Sequence, residues 1–186
     1  TLDATRNIYI NAEISDLNDA TTDSTNFQLT AGENVYLSAF ELNSGGGNIV
    51  INANAGNIEM SNGAQIITSG GNINLQANAG DIHLGYLESA LESISLIASF
   101  NITDNNTTIR NIDAGGGIVS FDANQNIGGT SFSDSIEITD SIVDVTANSA
   151  NMNIYLSNDH ALNSLTLRNI DYDLGDGLNL NVEATS

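Results

Sequence analysis

The segment DYDLGDG, Asp171 to Gly177, places three carboxylates, Asp171, Asp173 and Asp176, within six residues and interrupts them with glycine. Carboxylates this close, on backbone that folds tightly, are the ligands a calcium ion takes, with main-chain carbonyls completing the shell. The segment is not an EF-hand loop, because its second glycine falls one position late and its twelfth position is Val182. It also lacks the glycine-rich nonapeptide of calcium β-rolls. A plain acidic turn accounts for the same residues without a ligand. Calcium is the one cofactor the chain suggests.

Tyrosine offers a second chemistry. Tyr9, Tyr36 and Tyr86 stand among segments rich in asparagine and aspartate, and alternation turns Tyr36 outward. An exposed tyrosine can stack on a sugar ring while neighbouring amides hydrogen-bond its hydroxyls, so Tyr36 and Tyr86 are candidates for a ligand surface. The same residues also read as scattered surface tyrosines. His83 and His160 are the only histidines, and both read as solvated surface residues, His83 stacking over Glu59. The sequons at Asn101, Asn105 and Asn106 are expected by chance in a chain with 28 asparagines.

Catalysis finds little to work with. Lysine is absent, and Arg6, Arg110 and Arg168 are far apart, which leaves no basic cluster for a polysaccharide lyase. A hydrolase needs paired carboxylates at a set separation, and the nearest set is the same Asp171–Asp176 turn. The chain therefore reads as a non-enzyme. With 23 acidic residues its formal charge is −20, which repels phosphate backbones and anionic lipid heads and excludes nucleic acid as a partner. No apolar run reaches the length of a membrane-spanning helix, so membrane insertion is not expected. The absence of cysteine rules out disulfides and thiolate-bound metals.

What positions these residues is short strands. Alternation of large aliphatic with polar residues recurs in bursts such as NIYINAEI from Asn7, NVYLSAFEL from Asn34, NIVINA from Asn48 and NINLQA from Asn72. Each has the pattern of a short strand with one buried face. GGNIVINANAGNI from Gly46 returns as GGNINLQANAGDI from Gly70, 24 residues on, with nine of thirteen positions identical. Each unit has room for about three strands, with NGAQIIT and ESALESISL in the third slot. No such strand buries its apolar side alone, whereas stacked triangular coils do. The expectation is an all-β fold, a right-handed parallel β-helix (β-solenoid) of about seven or eight coils in one domain over residues 1–186, roughly 35–40 Å long. A β-sandwich or jelly roll shares the short strands but not the 24-residue repeat.

In such a coil Ile49 lies beneath Ile73, Ile51 beneath Leu75, Ile58 beneath Ile82 and Met60 beneath Leu84, all pointing inward. Val50 and Asn74, Asn52 and Gln76, and Glu59 and His83 pair outward. Asparagines aligned at the corners, such as Asn48 with Asn72, can form side-chain ladders along the stack. GGGIVSFDANQNI from Gly115 reads as the same unit with one residue inserted. Segments 13–33 and 100–116 lack clean alternation and are expected to hold loops leaving the solenoid.

The units GGNIVINANAGNI and GGNINLQANAGDIHL, with NIYINAEI and NVYLSA before them, resemble the repeats of filamentous-haemagglutinin-like exoproteins, the giant bacterial surface adhesins of two-partner secretion. The resemblance covers residues 34–85 most strongly. It implies an extracellular, elongated cell-surface rod whose partners are host or neighbouring-cell glycans or proteins and the adjoining coils of its own parent chain. The secretion domain of that family carries Asn-Pro motifs and this chain has no proline, so it reads as an internal or distal stretch of the rod. The alternative implied by the residues is a carbohydrate- or calcium-binding module.

Overall fold

The computed structural model describes residues 1–16, 24–38, 40–106, 110–129 and 135–139, together with four later strands in backbone: Ile142–Ala147, Asn153–Asn158, Ser164–Arg168 and Asn179–Ala184. The chain is a parallel β-solenoid with three faces, and every pairing between described strands is parallel.

The first face stacks β1 (Leu2–Ala4), β4 (Phe27–Ala31), β7 (Ile49–Ala53), β10 (Ile73–Ala77), β13 (Ile94–Ala98), β16 (Val119–Ala123), β18 (Ile142–Ala147) and β20 (Ser164–Arg168). The second stacks β2 (Ile8–Ile10), β5 (Val35–Leu37), β8 (Ile58–Met60), β11 (Ile82–Leu84) and β14 (Ile102–Asp104). The third stacks β3 (Ile14–Ser15), β6 (Glu41–Asn43), β9 (Gln65–Thr68), β12 (Tyr86–Ser89), β15 (Ile112–Asp113), β17 (Ile136–Ile138), β19 (Asn153–Asn158) and β21 (Asn179–Ala184). Eight levels are thus present, of which five carry a strand on all three faces among the described residues. Above β14 the second face continues as a single bridge, Ile102 to Ile127.

The inward register is the one the repeat dictates. Ile49 pairs with Ile73, Ile51 with Leu75 and Ile58 with Ile82, and all are fully buried, as are Met60 and Leu84. Val50–Asn74, Asn52–Gln76 and Glu59–His83 pair on the outside. Each aliphatic side chain lies on its counterpart one strand spacing away, about 4.8 Å along the rod, and burying it contributes roughly 1.5–3 kcal/mol.

Corners need polar chemistry because the chain turns there without a neighbouring strand. On the second face, one corner position forms a ladder of six rungs: Asn7, Asn34, Asn57, Asp81, Asn101 and Asn126. At each step a side-chain oxygen accepts the backbone N–H of the next rung, at 3.0, 2.7, 2.9, 2.8 and 3.1 Å in turn. A shorter ladder runs Asn26–Asn48–Asn72–Ser93 at 2.8, 2.8 and 3.1 Å. The next residue at that corner is Ile118, whose carbonyl accepts from Ile94 N. The degenerate unit therefore has no inserted residue before this strand: Ile118 replaces the ladder asparagine, 46% exposed, while Val119 takes the inward place of Ile49. Buried hydroxyls close the corner between the third and first faces: Ser44 Oγ donates to Gly47 O and Thr68 Oγ1 to Gly71 O, both at 2.6 Å.

Three further expectations change. Segment 13–33 contains β3 and β4, and FQLTA in β4 alternates cleanly, with Leu29 and Ala31 buried. Segment 100–116 likewise contains β14 and β15, whose corner is held by buried Asn106 and Asn111 rather than by aliphatic alternation. Only 17–23 and 107–109 of these two spans lie outside the described residues. The third slot of the second repeat is β12, starting at Tyr86, and ISL, from Ile94, already belongs to β13 of the next coil. The reason is local: Gly85 alone separates β11 from β12, where Ser61–Ala64 separate β8 from β9, so this coil is short.

Candidate functional site

The second face presents one straight outward rank, Tyr9–Tyr36–Glu59–His83–Thr103, with one residue at the centre of each three-residue strand. Alternation puts the flanking aliphatics inward, so each central side chain has only its rung neighbours and solvent to meet. Tyr9 and Tyr36 stack with ring centroids 4.8 Å apart and planes 9° from parallel. Tyr9 is 59% exposed, Tyr36 half-buried. Asn7 Nδ2 reaches the Tyr9 hydroxyl at 3.4 Å, and Asn11 Oδ1 accepts from Ser38 Oγ at 2.7 Å beyond the end of the same strands.

The centroid spacing matches the strand spacing, so the two rings turn their faces toward each other along the rod. One face of Tyr36 is covered by Tyr9. The pair offers its ring edges and hydroxyls to the side of the rod. A sugar or an apolar side chain has those edges, the hydroxyls and the adjacent amides to bind.

Further along the rank, His83 Nδ1 lies 2.8 Å from Thr103 Oγ1, and His83 Nε2 lies 3.7 Å from Glu59 Oε1. Asn57 Nδ2 donates to the same Glu59 oxygen at 2.9 Å. Glu59, His83 and Thr103 thus form a continuous polar strip beside the tyrosines, and His83 stacks over Glu59 as its place in the repeat implies.

Tyr86 does not join them. It lies on the third face at the start of β12, half-buried, and its hydroxyl donates to Glu88 Oε2 at 2.9 Å. Burial first, then the bond to Glu88 and the charges of Glu88 and Asp113, push its phenol well above the usual tyrosine range, against a smaller opposing pull from Arg110. Tyr86 is a neutral donor committed to a neighbouring carboxylate. The two tyrosines proposed for one ligand surface therefore stand on different faces, and the partner of Tyr36 is Tyr9. The signal for that pair was present in NIYI and NVYL, which share asparagine, aliphatic, tyrosine, aliphatic. Their 27-residue separation hid it behind the 24-residue repeat.

Asp171, Asp173, Asp176 and His160 lie outside the described residues. Among the described residues, no group of three histidine, cysteine, aspartate or glutamate side chains is placed to hold a metal ion. Arg6 pairs with Glu33 at 3.3 Å and Arg110 with Asp113 at 3.8 Å, each beside a different face. Asn106 of the sequons is only 2% exposed, and its Nδ2 donates to Gly85 O and Arg110 O. Asn101 is a ladder rung.

A scan of protein-family models, a search of curated proteins and a search of solved structures each returned no match to this chain.

Proposed function

We propose that the chain is a structural and adhesive segment of a large secreted bacterial surface protein, a rod that presents an attachment face to a surface glycan or protein. The observation that carries this reading is the Tyr9–Tyr36 stack, outward and partly exposed on a flat face of stacked strands, with the Asn7 amide alongside. The resemblance of residues 34–85 to exoprotein repeats supports the extracellular, adhesive setting. A ladder-locked stack supports the mechanical part, because successive coils held in register resist bending and shear as a unit. The acidic surface keeps rods apart in solution and leaves recognition to local contacts rather than to attraction for polyanions. In this role the chain acts without catalysis, through shape and surface alone.

The test is binding of the labelled chain to an array of glycans and matrix proteins, with calcium and with a chelator. Selective, saturable binding that Tyr9→Ser weakens supports the attachment face. Binding that the chelator alone abolishes would move recognition to a calcium site, for which Asp171, Asp173 and Asp176 are the candidates. No binding under either condition would leave a rod without an attachment role.

A further inference from the structure

We propose that Asn62 is a site of spontaneous backbone modification, a position where the folded rod converts asparagine to an aspartyl or isoaspartyl residue with time. Asn62–Gly63 is the only Asn-Gly step in a chain of 28 asparagines. It occupies the two central positions of a turn, Ser61–Ala64, closed by Ala64 N donating to Ser61 O at 2.9 Å. Gly63 has φ +85°, the value the third position of a type II turn demands and one that glycine adopts without strain. Asn62 is exposed, and the Gly63 N–H donates to no group among the described residues.

The turn also stands proud of the rod. The next coil crosses the same corner with Gly85 alone, and Tyr86 N closes on Ala64 O at 2.9 Å. Met60 and Ala64, on either side of the turn, are fully buried and hold its ends. The turn can therefore change its backbone without moving the coil.

The chemistry balances with water as the only co-reactant. The Gly63 nitrogen gives up its proton and attacks Asn62 Cγ. The Cγ–Nδ2 bond breaks and ammonia leaves, giving a succinimide. Water then opens one of the two ring carbonyls, yielding an aspartyl or an isoaspartyl residue and one new negative charge. Glycine permits the attack because it places no side chain in the path.

The ladder asparagines are denied this reaction. After Asn34, Asn48, Asn57, Asn72 and Asn101 comes a β-branched residue whose amide is spent on the next coil. Val35 N donates to Asn57 O, Ile49 N to Asn72 O, Ile58 N to Asp81 O, Ile73 N to Ser93 O and Ile102 N to Asn126 O, all between 2.9 and 3.1 Å. The same bonds that stack the coils tie down the nucleophile.

The folded chain is aged at mildly alkaline pH and body temperature, then cut with an acid-specific protease for mass spectrometry. A parallel sample is labelled with an isoaspartyl methyltransferase and its methyl donor. The expected result is one dominant acidic variant, methyl-accepting, mapping to the peptide that contains Asn62 and missing from Asn62→Gln. If Asn62 keeps its amide, or if ladder residues such as Asn57 or Asn72 convert as fast, the proposal is overturned.

Discussion

Asn101 closes both its backbone N–H and its side-chain Nδ2 on one oxygen of Asp81, each at 2.8 Å. Asp81 is the single carboxylate in a ladder otherwise made of asparagine. It accepts from the coil above better than an amide does, but it has no side-chain hydrogen to offer Asn57 below. Asp81→Ala should orphan the Asn101 backbone N–H, leave its Nδ2 only the longer bond to Gln125 Oε1 at 3.3 Å, and cost about 1–3 kcal/mol. Asp81→Asn should stay within about 1 kcal/mol of the parent, because the oxygen is kept and a donor is gained. Urea unfolding of the two variants checks this, and equal losses would mean that the ladder bond is not what Asp81 supplies.

Glycine before a rung is a steric requirement of the stack. A Cβ on Gly80 would lie within 2.2 Å of Asn57 Oδ1 and 2.4 Å of Gly56 O, whereas at Gly70 it would meet nothing within 4 Å. Gly80→Ala should cost about 3 kcal/mol or more, since backbone must shift to make room. Gly70→Ala should be neutral or stabilise by up to about 1 kcal/mol through the unfolded chain. The pair, measured by the same denaturant titration, separates close approach from a general intolerance of alanine at corners.

Leu91 has φ +71° at a corner of the kind that Gly45 and Gly115 turn with similar positive values, and its side chain is 75% exposed. The left-handed conformation costs a residue with a Cβ about 1–2 kcal/mol, against about 0.5–1 kcal/mol of extra backbone entropy for glycine. Leu91→Gly should therefore raise the unfolding midpoint slightly. A clear loss of stability would show that the exposed leucine makes contacts worth more than the strain.

Alkali should act through Tyr86. A phenol whose proton is held more tightly in the fold than in the unfolded chain contributes stability that is fully present below the ordinary tyrosine value of 10.0. Above it the unfolded chain releases the proton first, so stability falls as pH rises. Tyr86→Phe should lose some stability at neutral pH, through the missing bond to Glu88, and flatten the decline above that value. Thermal unfolding across the alkaline range reads both effects. An unchanged slope would place the alkaline sensitivity elsewhere.

Much of this architecture was legible before any coordinates. Ile49 under Ile73 and Glu59 under His83 follow from two near-identical units, because in a parallel stack sequence offset becomes spatial register. Legibility failed where coil length drifted. Tyr9 and Tyr36 meet across 27 residues and Ser93 follows Asn72 by 21, since corners absorb extra residues or drop them without disturbing the strands. It failed again at Asn106 and Asn111, where buried amides replace the aliphatic pattern that marks a strand. The attachment face was half legible. Alternation marks Tyr36 as outward without revealing its stacking partner Tyr9, and Tyr86, the other candidate, lies on a separate face.

The most direct measurement is equilibrium binding of an array-selected glycan or protein to the parent chain, to Tyr9→Ala, and to Thr30→Ala as a substitution on the first face. If the second face is the attachment surface, Tyr9→Ala weakens binding at least tenfold while Thr30→Ala leaves it unchanged, a difference of about 1.4 kcal/mol. Equal affinity for all three chains would contradict the assignment of attachment to the tyrosine rank.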